Sequence, residues 1–217
     1  MNYVSKDHHP HNTPESQRIS IINCLGQRIG ARDYLEIGYC DGSCFKNVNI
    51  ANKTAVDPKP KIHEPKLVEA TSDKFFENNQ KTWDIVFVDG LHRYLQVKRD
   101  IENSLEALNP GGYIVCHDMG PFTQNDIHRS GDCWKAFVAL RSERDDLEMF
   151  TVDCGKCDYG IGVITRGSQE KIELNIELST GIFDNWEEFE KNRKEWMNTI
   201  SIDEFNSYLD TIKKEKN

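Results

Sequence analysis

No stretch of this chain approaches the run of about 18 apolar residues that a membrane-spanning helix needs. The first ten residues, Met1 to Pro10, lack the apolar core of a signal peptide. Both absences point to a cytoplasmic protein with no membrane partner. Positive charge is also in short supply: 27 Lys and Arg stand against 36 Asp and Glu, a net charge of -9. Such a balance repels nucleic acid and anionic surfaces. The basic cluster Lys53, Lys59, Lys61 and Lys66 lies in a proline-bearing stretch and reads as solvated surface. A small neutral or cationic molecule is therefore the expected partner. Seven cysteines, an odd number spread from Cys24 to Cys157, form no framework of the secreted kind. Cys154 and Cys157 have half of a zinc-site spacing, but no second Cys-x-x-Cys supplies the other two ligands, so they read as ordinary thiols. His8, His9 and His11 read as part of a tail. Internal repeats and low-complexity segments are absent.

What the chain does have is a series of short apolar runs that end in acid. Tyr34 to Ile37 is followed by a turn bounded by Gly38 and Gly42, which lack a Cβ and so let the backbone turn sharply beside a ligand. The next run, Thr54 to Val56, ends in Asp57, about 20 residues after the glycine turn, where nucleotide-binding α/β folds hold a ribose hydroxyl. Trp83 to Val88 ends in Asp89, and the run after Pro110-Gly-Gly112 ends in His117 and Asp118. A further short strand is expected over Leu67 to Ala70.

Helical periodicity alternates with these runs. Thr13 and Pro14 read as an N-cap and a first-turn proline, followed by Ile19, Ile22, Leu25 and Ile29 at helical spacing. A short helix is expected from Ser43 to Asn49. Tyr94, Val97, Ile101, Leu105 and Leu108 mark a crossover helix, and another spans about Asp132 to Ser142. Glu148 to Val152 and Gly160 to Thr165 read as a closing hairpin. Alternating strands and helices imply a parallel sheet, and 217 residues suffice for one such core.

These motifs, taken as an ordered set, resemble the class I S-adenosylmethionine-dependent methyltransferases. The resemblance spans roughly residues 30 to 165. It is closest to the bacterial small-molecule and sugar O-methyltransferase branch, through Val88-Asp-Gly-Leu-His92, Cys116-His-Asp118 and Gly131-Asp-Cys-Trp-Lys-Ala-Phe137. It implies a Rossmann-like α/β fold: a mostly parallel seven-stranded sheet with a terminal antiparallel strand and helices on both faces. It also implies S-adenosyl-L-methionine as cofactor, with Glu36, Gly38 and Gly42 around the methionine part and Asp57 on the ribose. Ser72 and Asp73 fall where this class contacts adenine, and Asp89 lies at the cofactor's edge. Asp73 is equally placed to N-cap a helix containing Phe75 and Phe76. Cys40 stands where the family often has glycine.

Two chemistries remain open at the strand ends. Asp89, His117 and Asp118 offer three ligands for Mg2+ or another divalent cation, which would bind the acceptor oxygen and lower its pKa. Alternatively His92 or His117 acts as general base, with Asp118 beside it, since histidine exchanges a proton near neutrality. The expected function is O-methylation of a small hydroxylated acceptor such as a sugar or glycan precursor. The rivals are an NAD-dependent oxidoreductase, disfavoured by the missing Gly-x-Gly, and a non-catalytic nucleotide- or cofactor-binding protein. The expected organisation is a flexible tail over residues 1–12, a methyltransferase domain with its leading helix over 13–166, and a helical extension over 167–217. Within that extension Trp186, Phe189, Trp196, Met197 and Ile200 form one amphipathic stripe. It suits docking on the parent domain, a lid, or a homo-oligomer contact.

Overall fold

Each buried strand reads as a continuous apolar run because helices cover both faces of the sheet. The structure, a computed structural model, describes residues 3–7, 9, 13 and 16–212. Its strands are β1 (Asp33–Ile37), β2 (Asn52–Val56), β3 (Leu67–Val68), β4 (Trp83–Val88), β5 (Leu108–Cys116), β6 (Leu147–Val152), β7 (Ile161–Arg166) and β8 (Thr199–Ile200). They form one sheet in the order β3-β2-β1-β4-β5-β7-β6-β8. The five strands from β3 to β5 run parallel, and β7 is antiparallel to both β5 and β6. The seven expected strands are all present. The eighth, β8, joins the edge by pairing parallel to β6.

On one face lie α1 (Gln17–Ile29), α2 (Ser43–Asn47) and α8 (Ile202–Thr211), packed on Tyr34, Ile85, Phe87 and Val115. On the other lie α4 (Tyr94–Glu106), α6 (Cys133–Glu143) and α7 (Trp186–Met197), packed on Leu35, Val86, Val88 and Ile114. Two short helices, α3 (Ser72–Asn78) and α5 (Ile127–Ser130), fill the crossovers.

Several boundaries differ from the sequence expectations, each for a local reason. The leading helix begins at Gln17 behind Ser16, not at Thr13, while Pro14 lies outside the described residues. Leu108 belongs to β5, not to the helix before it: α4 ends at Glu106, and β5 passes through Pro110-Gly-Gly112 where its register to β4 shifts. Gly112 fits there because a Cβ would lie 2.7 Å from the Asp84 carbonyl. α3 is N-capped by Thr71, whose side chain accepts from the Lys74 amide, and Asp73 sits in the first turn.

The C-terminal stripe is two helices, not one. Asn198 ends α7 in the left-handed region, and Ser201 with Glu204 then forms a reciprocal capping box that starts α8. Both helices dock. Phe189 of α7 is fully buried and stacks on Trp134 of α6 with ring centroids 4.1 Å apart. Near the start of the chain, within the stretch read as a flexible tail, Val4 is buried and exchanges two hydrogen bonds with the Asn206 side chain of α8. His8 and His11 lie outside the described residues.

Removing the Phe189 ring leaves a void beside Trp134 that the sheet cannot close. Phe189→Ala is therefore expected to cost about 3–5 kcal/mol of folding stability. Urea unfolding followed by tryptophan fluorescence measures this; a loss below about 1 kcal/mol would mean that α7 is only loosely docked.

Candidate active site

An open α/β sheet leaves a crevice at the carboxyl ends of its parallel strands, and here that crevice is a cavity of about 520 Å3. Its walls come from the ends of β1, β2 and β4 and from α3 and α4. Gly38, Asp57, Ser72, Asp73, Asp89 and His92 all line it, so six of the residues singled out in the sequence converge on one space. Gly38 is required by the backbone itself: at φ 94° a Cβ would sit 2.0 Å from the Asp89 carbonyl oxygen. A side chain there would pry β1 from the residue after β4 before it met any ligand. Asp57 accepts from the amides of Cys40 at 2.8 Å and Lys59 at 2.7 Å, tying the glycine turn to the end of β2.

Glu36 and Gly42 fall outside the cavity wall. Glu36 is buried, and the Tyr34 hydroxyl donates to its Oε2 at 2.5 Å. Burial pushes its carboxyl up to about 8, against the hydrogen bond from Tyr34, which lowers it. Gly42 starts α2 in the left-handed region, and a Cβ there would collide with the Tyr39 ring. Both shape the turn from behind.

Asp89, His92, His117 and Asp118 form one cluster at the ends of β4 and β5, joined by two residues that the sequence reading missed, Arg18 and Asp158. His92 Nε2 donates to Asp89 Oδ1 at 3.0 Å, and Nδ1 donates to the Arg129 carbonyl at 3.1 Å with Asp118 Oδ2 3.3 Å away. Burial disfavours the charged ring, but the Asp89 hydrogen bond and the two carboxylates outweigh it and raise His92 to about 9. His117 is opposed by burial in the same way, and Asp118 and Asp89 carry its pKa well above the usual histidine range. Its Nε2 reaches Asp158 Oδ1 at 3.2 Å, while Nδ1 lies 3.2 Å from Asp118 and 3.3 Å from Asp89. Arg18 Nη1 adds a contact to Asp89 Oδ2 at 3.3 Å. Despite burial, His117 and His92 hold the Asp89 carboxyl well below the usual carboxylate range.

The described residues bring Asp89, His92 and Asp118 together with one ligand atom each, all within 4.8 Å of one another. The histidine in that group is His92, while His117, the histidine expected there, directs Nε2 at Asp158 and keeps Nδ1 3.2 Å from Asp118 and 3.3 Å from Asp89.

Local backbone explains how His92 gets there. Cys40, His92 and Asp118 are all non-glycine residues at positive φ, 51°, 55° and 61°, a conformation that costs free energy and collects at functional sites. Gly131 allows the loop before α6 to press on the His92 turn, since a Cβ would lie 1.9 Å from the His92 carbonyl oxygen. Next to it, Asp132 accepts from the Tyr94 amide at 2.9 Å and so caps α4 from outside. The Gly131-Asp132 pair is thus a clamp on the His92 loop. On α4, Gln96 donates to Ser72, Asp73 and Asp100, and the buried Asp100 Oδ2 has no hydrogen-bond partner at the cavity wall. Arg18, Gln96 and Asp100 sit on helices whose periodicity reads only as packing. Cys154 is buried, and the Cys157 side chain lies outside the described residues.

Because the folded state raises the Glu36 pKa, its contribution to stability is present below about 4.5 and lost as pH rises through about 8. Glu36→Gln keeps an oxygen for Tyr34 and removes the titration. It should raise the melting temperature over the parent protein at pH 9 and change it little at pH 5. Equal shifts at both would show that another group titrates.

A family model described as a methyltransferase domain matches residues 3–119, more than half of the chain. A search of curated proteins gave no match. Among solved structures, the chain is similar to a putative caffeoyl-CoA O-methyltransferase from Staphylococcus aureus, with 16% identity and a TM-score of 0.55 over 69% of this chain and 82% of that one. It is similar to the SAH-bound methyltransferase PaMTH1 of Podospora anserina, with 14% identity and a TM-score of 0.55 over 75% and 81%. A third likeness is to the N-methyltransferase NodS of Bradyrhizobium japonicum in complex with S-adenosylhomocysteine, with 16% identity and a TM-score of 0.52 over 71% and 87%. At these identities the likenesses establish the fold, and they include both O- and N-methyltransferases. The family match sets aside the oxidoreductase alternative. With its strand order, its crevice and this match in agreement, the chain is an enzyme that belongs to the class I S-adenosylmethionine-dependent methyltransferases.

Proposed function

We propose that the protein transfers the methyl group of S-adenosylmethionine to a hydroxyl of a small molecule such as a sugar or glycan precursor, with His92 as the proton acceptor. The observation that carries this is the adjacency of the cavity and the charged cluster: Asp89 and His92 belong to both. The cavity volume of about 520 Å3 suits a cofactor-sized ligand, within the usual range of about 300–1,000 Å3. Gly38 and Cys40 would border the methionine part, Asp57 the ribose, and Ser72 and Asp73 the adenine. When bound, the cofactor supplies an electrophilic methyl on a sulfonium.

The acceptor oxygen would bond to that methyl as the methyl's bond to sulfur breaks, and the acceptor's proton would pass to His92 Nδ1, taking the place of its hydrogen bond to the Arg129 carbonyl, while Asp89 holds the Nε2 proton. Nδ1 must be free of its own proton first. Asp89, Asp118 and Asp158 face Arg18, His92 and His117, so the cluster is close to electroneutral as it stands. A second reading rests on the spacing of Asp89, His92 and Asp118. Those three would hold a divalent cation, which would supply Lewis acidity to the acceptor oxygen.

Calorimetry with S-adenosylhomocysteine tests the cofactor assignment. Asp57→Ala should weaken binding by roughly 1.5–3 kcal/mol, the worth of a hydrogen bond to a charged group, and an unchanged dissociation constant would place the ribose elsewhere.

A pH-rate profile distinguishes the two proton chemistries. His92 accepts a proton only when neutral, so the rate should rise with pH through about 9 and survive excess chelator. Loss of activity on chelation, with magnesium restoring it and moving the midpoint to lower pH, would replace the base by the cation.

A further inference from the structure

Where α3 and α4 wall the cofactor cavity, hydrogen-bond acceptors outnumber donors. Gln96 of α4 is oriented by Arg99, which donates to its Oε1 at 2.7 Å and leaves the amide nitrogen facing α3. Around that nitrogen lie Ser72 Oγ at 3.2 Å, Asp73 Oδ1 at 3.1 Å and Asp100 Oδ1 at 3.0 Å. An amide nitrogen carries two hydrogens, so three acceptors compete for them.

The two carboxylates in this corner are balanced differently. The Asp73 side chain, in the first turn of α3, is 40% exposed and has the Arg99 guanidinium 3.7 Å from its Oδ2. Asp100 is 1% exposed, and no ion pair to it is found among the described residues. It belongs to the cavity wall, yet its Oδ2 is buried without a hydrogen-bond partner. Gly90, on the same wall just after β4, brings no side chain over it; a Cβ there would already touch Oδ2 at 3.4 Å. Burial pushes the Asp100 carboxyl up to about 6, so at pH 8 it is ionised and its second oxygen is an acceptor still waiting for a donor. A buried acceptor in that state costs free energy until a ligand supplies the missing hydrogen.

S-Adenosylmethionine carries hydrogen-bond donors in three places: the methionine ammonium, the ribose hydroxyls and the exocyclic amine of the purine. In the reading above, the first two lie against the Gly38 turn and Asp57, at the ends of β1 and β2, which leaves the amine for the corner between α3 and α4. A 6-oxo purine would instead set a carbonyl against the same carboxylate, acceptor facing acceptor.

We propose that Asp100 is the residue that selects adenine, its Oδ2 accepting a hydrogen from the exocyclic amine and so disfavouring a purine with oxygen or hydrogen at that position. The inference rests on the methyltransferase reading and adds which group fixes the identity of the base. Ser72 and Asp73 border the ring, but Asp73 is already matched by Arg99, so the selection comes from α4 and not from the start of α3.

Calorimetry on the full chain at pH 8 tests this with S-adenosylhomocysteine, S-inosylhomocysteine and the analogue that has hydrogen in place of the amine. Both analogues should bind between about 10- and 100-fold more weakly, the worth of one hydrogen bond to a charged group. Asp100→Asn keeps the shape and an oxygen for Gln96 but turns an amide N–H toward the base. It should weaken S-adenosylhomocysteine about tenfold and strengthen S-inosylhomocysteine, with circular dichroism showing that the fold is kept. A folded variant that retains the parent's preference overturns the proposal. Equal affinity of the parent protein for S-adenosylhomocysteine and the hydrogen analogue overturns it as well, and that comparison needs no variant to fold. Failure of S-adenosylhomocysteine itself to bind the parent removes the methyltransferase reading, and the base selection with it.

Discussion

Three carboxylates gathered beside the carboxyl ends of the central strands cannot remain together in a poorly solvated crevice without neutralisation. Asp89, Asp118 and Asp158 are held by Arg18, His92 and His117, which arrive from α1 and from the ends of β4 and β5. Arg18 Nη1 and His117 Nε2 lie 3.4 Å apart, a repulsive approach for two cations that only the shared carboxylates make tolerable. Much of the surrounding chain serves this cluster. The leading helix delivers the guanidinium, the hairpin between β6 and β7 delivers Asp158, and the loop before α6 fixes the His92 turn. Breaking one member strands the others with unpaired charge, so the site is stiff by electrostatics as much as by packing.

The parts legible in the sequence were those with a local signature. Apolar runs ending in Asp57, Asp89 and Asp118 marked the strands and the crevice, because a parallel sheet places all such ends on one edge. Arg18 carried no signature: it sits one residue before Ile19 in an ordinary amphipathic helix, and its partner Asp89 is 71 positions away. Asp158 was hidden in the loop after Cys154, where an acid reads as solvent-facing, yet it is fully buried. The division of roles between the two histidines was equally invisible. It depends on which ring faces the Arg129 carbonyl and which faces Asp158, and neither follows from spacing. The break between α7 and α8 was legible in principle, through the capping box at Ser201 and Glu204, but the apolar stripe across it suggested continuity.

Glycine plays two distinct roles around the crevice. Gly38 and Gly131 are excluded from carrying a side chain by protein backbone, the one against Asp89 and the other against His92. Neither needs a ligand to explain it. This separates the tightness of the turn from the chemistry of the cofactor and makes Gly38 a reporter of the fold, not of the ligand.

Arg193 of α7 donates from Nη1 to the Pro121 carbonyl in the loop after β5. The crevice at the strand ends is walled by residues 37 to 100 alone, so α7 and that loop belong to a later stretch of the chain. Arg193 ties the two together through a main-chain oxygen, which every residue type at position 121 would present. A change of side chain at 121 therefore leaves the acceptor of this tether in place, whereas a change at 193 removes the donor.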